Sequence, residues 1–377
     1  MNILFVVENY YPHIGGVEVI FKNLAEGLAA KGHKVVVLTH RLKGTKRHEF
    51  VKGVTIRRVD CFGSRYLFTF FAIPEARELA EKADIIHTTT FNGAPPAWVA
   101  AKSSGRPLVI TVHEVWIGMW KRLGDMSWLG KRMHDFLERM IYLLRYDFYA
   151  AVSESTKKQL IRIGIPEKKV KVVYNSVDYE HFKAGNKGRE KIRKKHALKG
   201  FVYLAYGRPG VSKGLEYAVR AVKIIKKNIP DSKFVLILST DPAYRKQYRK
   251  ILRLIRKLKL LGDIVLLPPV KWKELPNYLK AADCIVVPSL AEGFGYTAAE
   301  AAALDVPVVA TDTTSLPEVV SGKHILVKPK SPVAIAEAVE DVYRHKFKVK
   351  KKKLFRLEDN IKGYLEIYGQ LLNKKLK

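Results

Sequence analysis

Two glutamates eight positions apart, Glu292 and Glu300, frame the stretch EGFGYTAAE. Glu292 opens a loop of Gly293, Phe294 and Gly295, and Glu300 follows among Ala298, Ala299, Ala301, Ala302 and Ala303. Glycines without a Cβ let the backbone approach a bound group closely, and the N–H groups at the start of a following helix favour negative charge. Glu300 falls two turns into that helix, roughly 9–10 Å along its axis, about the reach from a diphosphate to the ribose of one nucleotide. A carboxylate there can accept hydrogen bonds from two vicinal hydroxyls. The plain alternative is a carboxylate turned to water, but its alanine neighbours form no polar face for it to join.

Arg208 and Lys213 stand five apart in YGRPGVSKG, between an apolar run and a helical pattern starting near Gly214. An arginine fork and a lysine point charge can together hold two phosphates, although as isolated surface residues they would mean nothing. Other phosphate chemistries fail on spacing. Gly15 and Gly16 in ENYYPHIGGVEV do not make G-x-G-x-x-G, and neither glycine loop matches the G-x-x-x-x-G-K-[ST] pattern. Cys61 and Cys284 have no metal-ligand spacing and form no disulfide framework, and no Asp-x-Asp triplet occurs.

These residues need elements to position them. At 377 residues the chain favours two domains. Short β-branched runs (Phe201–Tyr206, Lys233–Leu238 and Cys284–Val287 among them) alternate with helical patterns such as Val17–Lys31 and Lys131–Arg145. Near-continuous apolar strands between helices indicate an α/β fold with buried parallel sheets, and two such sets indicate two doubly wound domains. The joint is expected at residues 176–200, within a highly charged segment, and LFRLEDNIKGYLEIYGQLLNKK reads as a final amphipathic helix with no strand after it.

The formal net charge is +32, distributed as +7 over residues 1–150, +17 over 151–250 and +8 over 251–377. Such a surface attracts phosphates, anionic lipid or nucleic acid. A solvated, lysine-rich surface of a thermophilic protein is the plainer account, in keeping with only three glutamines and lysines scattered along helix faces, and no specific nucleic-acid motif is present. No signal peptide or long uncharged apolar run is visible, so a cytoplasmic location is expected.

Together these stretches resemble retaining glycosyltransferases of the two-domain GT-B fold, glycosyltransferase family 4 (glycosyl transferases group 1). EGFGYTAAE is similar to their E-x7-E signature, and Gly15-Gly16-Val-Glu18 to the glycine loop after their first strand. DIIH (84–87), TVHE (111–114), VVYNSVD and GRPGVSKG resemble further family segments in the same order. The resemblance implies two Rossmann-like domains, residues 1–182 and 183–355, facing a central cleft, with the helix over 356–377 returning to the N-terminal domain. It implies that Arg208 and Lys213 bind the diphosphate of a nucleotide-sugar. Gly293, Phe294 and Gly295 would meet it through backbone, Glu300 the ribose, Glu292 the transferred sugar, Gly16 and its neighbour Gly15 the phosphates, and His113 the reacting centre. Ser176, Ser315 and His324 depart from the family pattern.

With no Asp-x-Asp element, Arg208, Lys213 and a helix N-terminus would supply the positive charge for the leaving diphosphate, so no metal and no cofactor are expected. Retention of configuration is the course the resemblance implies. The partners expected are a nucleotide-sugar donor and a sugar or lipid-linked acceptor resting on the N-terminal domain. There Trp116, Trp120 and Trp128 beside Lys121, Arg122, Lys131 and Arg132 look like an interfacial anchor, peripheral at the inner face of a membrane. Equally open is an ordinary helix with Leu137, Ile141 and Leu144 as core positions and the tryptophans lining an acceptor pocket. Two other function classes compete: a catalytically silent sugar-nucleotide or polyanion binder, which would be expected to lose one of Glu292, Glu300, Arg208 or Lys213, and an epimerase, which would need further acid–base residues.

Overall fold

The computed structural model describes residues 1–375 apart from Ile14 and Ala184. The chain divides into two compact units. The first comprises Met1–Lys121, Trp128–Ser176 and Phe355–Lys377; the second comprises Arg122–Ser127 and Val177–Leu354.

The first unit is an eight-stranded sheet of β1 (Asn2–Val6), β2 (Lys34–His40), β3 (His48–Val51), β4 (Val54–Val59), β5 (Ile85–Thr89), β6 (Leu108–Val112), β7 (Phe148–Ala151) and β8 (Val170–Val172). Their order is β3-β4-β2-β1-β5-β6-β7-β8, and every pairing is parallel except β3 with β4. Successive side chains of a strand point to opposite faces, so β1 feeds two cores at once. Leu4 and Val6 join Leu38, Ile86 and Ile110 on one face, while Ile3 and Phe5 join Val37, Ile85 and Val109 on the other.

That second face is closed by the C-terminal helix, Leu357–Lys375, through Ile361, Tyr364, Ile367 and Tyr368. A buried polar chain ties it down. His87 Nδ1 lies 2.6 Å from the Tyr368 hydroxyl and its Nε2 2.7 Å from Thr111 Oγ1, which is 2.8 Å from the Tyr364 hydroxyl. Burial pushes the His87 imidazole down to about 3, so it stays neutral. His87, at the end of DIIH, is therefore a core residue that anchors the last helix.

The second unit is a seven-stranded sheet of β9 (Val202–Gly207), β10 (Lys233–Leu238), β11 (Ile264–Leu267), β12 (Cys284–Val287), β13 (Val308–Thr311), β14 (Gly322–Val327) and β15 (Lys348–Lys350). Their order is β11-β10-β9-β12-β13-β14-β15, parallel throughout except β14 with β15. Both sheets are thus doubly wound and Rossmann-like, as the alternation of apolar runs and helical patterns predicts.

The differences from the sequence reading lie at edges and in the charged joint. β3 and β15 are short antiparallel edge strands whose side chains are mostly exposed, so neither carries an apolar run. The joint contains a helix, Asn186–Lys195, where a separator was expected. Arg189 and Arg193 on it each hold one oxygen of Asp283 at 2.6 Å, fixing the helix beside β12. Part of the basic excess is therefore structural.

Candidate active site

The glycine loop follows β12 and delivers the helix Tyr296–Ala303. Its N-cap, Gly295, has φ 99°, a left-handed conformation, and a Cβ there would meet Leu316 Cδ2 at 2.9 Å. Only glycine fits that turn without strain. The neighbouring strand arrives as tightly: Gly214 has φ 58°, and a Cβ on it would lie 2.1 Å from the Pro288 carbonyl oxygen. The loops after β9 and β12 are thereby pressed together, and Leu290 N donates to Ser212 O at 2.6 Å.

This contact brings Lys213 to Glu292. Lys213 Nζ donates to Glu292 Oε1 at 2.7 Å, and Ser289 Oγ donates to the same oxygen at 2.6 Å. Thr314 Oγ1 accepts from Glu292 N at 2.8 Å. The Ser315 hydroxyl lies 2.9 Å from both the Glu292 and the Phe294 carbonyl oxygens, donating to one at a time. Ser315 is fully buried, so a residue that departs from the family pattern serves here to pin the glycine loop.

Glu300 is buried at 5% exposure, which removes the solvent-facing alternative. Its partner is Tyr206 near the end of β9, whose hydroxyl donates to Glu300 Oε2. Burial pushes the Glu300 carboxyl up to about 7, against the opposing pull of the Tyr206 hydrogen bond and the Lys213 charge. Tyr206, Lys213, Ser289, Glu292 and Thr297 line one small pocket over the carboxyl ends of β9 and β12. Sequence reasoning missed Tyr206; the available signal was a phenol at a strand end facing the glutamate helix across one strand spacing.

Arg208 is not part of this cluster. It is exposed, its guanidinium 5.7 Å from the Tyr244 ring centre and donating to the Tyr244 hydroxyl at 3.1 Å. Tyr244 comes from the loop after β10.

In the first unit, Gly15 caps the helix Gly16–Ala30 with extended backbone, and open space surrounds Gly16 where a Cβ would project. Glu18 in the first turn accepts from His13 at 3.0 Å. His113, just past β6, has a buried Nε2 with no hydrogen-bond partner among the described residues, and burial pushes its imidazole down to about 4. A buried acceptor or donor left open in this way costs free energy unless something else meets it.

The tryptophans separate into two kinds. Trp116 and Trp120 are half-buried with rings 5.1 Å apart, and their indole N–H groups donate to Glu114 at 2.5 Å and Glu138 at 2.6 Å. Glu138 also accepts from Trp116 N at 2.7 Å; it is 1% exposed, and burial pushes its carboxyl up to about 7. Trp128 is 69% exposed with the Arg132 guanidinium 5.1 Å from its ring. Lys121 and Arg122 are exposed. Of the three expected core positions, Ile141 is buried and Leu144 partly so, whereas Leu137 is exposed.

Known proteins fall in line with this geometry. Residues 14–181 match the description Glycosyltransferase Family 4, and residues 188–362 match Glycosyl transferases group 1. An uncharacterized glycosyltransferase of Methanocaldococcus jannaschii is 32% identical over 91% of this chain and 89% of its own. The UDP-Gal:alpha-D-GlcNAc-diphosphoundecaprenol alpha-1,3-galactosyltransferase of Escherichia coli is 32% identical over 66% of this chain and 61% of its own. Among solved structures, Anabaena HepE in complex with UDP and glucose superposes with a TM-score of 0.73 at 19% identity, over 100% of this chain and 98% of that one. Matches in series across both units, and a near-full-length relative at this identity, establish that the chain belongs to glycosyltransferase family 4, the group 1 glycosyl transferases, and is a glycosyltransferase of GT-B fold.

Proposed function

We propose that this glycosyltransferase moves a sugar from a nucleotide-diphosphate-sugar to a sugar or lipid-linked acceptor, with retention of configuration and without a metal ion. The observation that carries the donor side is the Lys213–Glu292 and Tyr206–Glu300 cluster over the start of the Tyr296–Ala303 helix. Glu300, just over one turn into the helix rather than the two turns expected from the sequence, would take the ribose hydroxyls, and the loop amides and Lys213 would take the diphosphate, with Arg208 adding charge from the surface. Positive charge held in place before the bond breaks stabilises the leaving diphosphate without reorganisation. Glu292, braced by Lys213 and Ser289, would orient the transferred sugar. The lipid-linked acceptor is supported by the E. coli relative, whose name specifies a diphosphoundecaprenol substrate. In this reading the protein works peripherally at the inner face of a membrane.

Calorimetric titration with UDP, GDP and ADP, without added metal, tests the donor side in wild type and Glu300→Ala. One nucleotide is expected to bind at micromolar affinity, and the variant to lose about 1–3 kcal/mol, as for a charged hydrogen bond left unmade. Equal, weak binding of all three by both proteins would refute it. The anomeric configuration of the product, read by NMR, tests retention.

A further inference from the structure

The Trp128–Leu143 helix is turned opposite to an ordinary surface helix. Its inward side buries Glu138, Ile141 and Tyr142, with His134 partly buried, while Leu129, Met133, Phe136, Leu137, Met140 and Leu143 lie outward, between 44% and 68% exposed. At about 100° per residue these six fall within roughly a third of the helix circumference, so they form one continuous apolar stripe. Soluble monomers rarely leave a contiguous apolar face of this extent open to water. The exposed Trp128, with Arg132 over its ring, stands at one end of the stripe.

A second apolar patch lies at the same carboxyl edge of the first sheet. Phe62, Tyr66, Phe70 and Phe71, which follow β4, are all exposed, Phe62 at 82%. The two places are joined within the unit: Thr69 reaches Asn92, Phe91 packs edge-on against Trp120, and Trp120 lies 5.1 Å from His134 on the helix.

Charge identifies the occupant. Arg132 and Arg139 flank the stripe, Arg145 follows the last turn of the helix, and all three are exposed. The helix's two carboxylates are committed elsewhere: Glu138 is buried under the tryptophans, and Asp135 accepts from Gly118 N at 2.8 Å and from Arg139 Nε at 2.8 Å. An apolar stripe with an aromatic end and an arginine border suits the boundary between acyl chains and anionic headgroups. A second copy fits poorly, because apposing two such faces sets Arg132 and Arg145 of each against the other in a chain already carrying +32. No described helix is long and apolar enough to cross a membrane, so the contact would be interfacial.

We propose that the outward face of the Trp128–Leu143 helix, together with the aromatic patch after β4, docks this protein on an anionic lipid bilayer. This goes further than the acceptor reading above by assigning the surface, and it replaces Trp116 and Trp120, which are engaged with Glu114 and Glu138, by Met133, Phe136, Leu137 and Met140 as the inserting groups.

The test is co-sedimentation with vesicles of phosphatidylcholine alone and of phosphatidylcholine with about one-third phosphatidylglycerol, at about 0.1 M salt. Wild type is expected to pellet with the mixed vesicles. Phe136→Ser with Met140→Ser, both exposed and clear of the core, is expected to lower the partition coefficient about tenfold or more. Arg132→Glu with Arg145→Glu is expected to remove the preference for anionic vesicles. Nucleotide affinity, measured by calorimetry on the same samples, is expected to stay at the wild-type value, which separates failure of docking from failure of the donor site. Three results overturn the proposal. Wild type fails to pellet; or both double variants bind as wild type does, assigning binding to another basic surface such as the Arg245–Lys257 helix; or sedimentation velocity shows a dimer that the Phe136/Met140 variant dissolves, making the face a contact between copies.

Discussion

At the carboxyl end of the second sheet, Glu300 is buried beneath a tyrosine hydroxyl, and the residues around it hold one another through hydrogen bonds. At the corresponding end of the first sheet, Glu138 is buried beneath two tryptophans, and the helix that carries it shows most of its apolar residues to water. Burial raises both carboxyls to about 7. Similar sheets and similar buried acids therefore support different surfaces. One is a polar recess shaped by glycine turns; the other is an apolar face displayed because a polar group occupies the inside of its helix. Where a strand end is followed by a tight glycine loop, backbone and charge converge on a small ligand. A long amphipathic segment in the same position builds a broad surface instead.

Breaking each side of this contrast should give effects of graded size. The largest belongs to the Lys213–Glu292 pair. Lys213→Ala is expected to lower the transfer rate about 10²–10³-fold, as for loss of a preorganised charge at a leaving group. Turnover should fall with little change in thermal midpoint, which calorimetry on the same protein would show.

Glu138→Ala leaves Trp116 N and Trp120 Nε1 without an acceptor and should destabilise the fold by about 2–4 kcal/mol, read by urea unfolding. Its pH dependence has a definite sign. The folded Glu138 carboxyl sits near 7, above its ordinary 4.5, so the folded state holds a proton that the unfolded chain releases. Its contribution is fully present below about pH 4.5 and is lost as pH rises through 7. Glu138→Gln should flatten that decline by up to about 3 kcal/mol between pH 5 and pH 8.

A smaller effect is expected from Tyr206→Phe. The Tyr206 hydroxyl stabilises ionised Glu300, so its loss moves the Glu300 midpoint above 7. Nucleotide binding that needs the carboxylate should weaken about tenfold at pH 7 and recover as pH rises, as titration across pH would show. The smallest belongs to Arg208→Ala, because an exposed charge contributes about 0.2–1 kcal/mol and is screened by salt. Nucleotide affinity should fall a few-fold at low ionic strength and hardly at all at high.

Much of this architecture is legible from local pattern. Apolar strands alternating with amphipathic helices specify two doubly wound sheets because a strand buried on both faces has nowhere else to go. EGFG announces a close backbone approach because only glycine tolerates the φ of Gly295, and the alanine ring around Glu300 already argues for burial. The edge strands β3 and β15 escape notice because an exposed edge carries no apolar signature.

What local pattern could not decide is which residues meet across strands. That Tyr206 would face Glu300, or that Ser315 would hold the carbonyls of Glu292 and Phe294, depends on registers between segments 21–94 residues apart in sequence. The direction of the Trp128–Leu143 helix was undecidable for a related reason. Its sequence contains a polar stripe and an apolar stripe, and propensity alone would bury the apolar one. Glu138 goes inside because the Trp116 amide and the Trp120 indole, placed there by the loop after β6, need an acceptor that only tertiary packing brings to them. The sequence by itself determined the two sheets and the glycine loop with its two glutamates. The tertiary structure decided which glutamates are buried, what holds them, and which face of one helix is left for a partner.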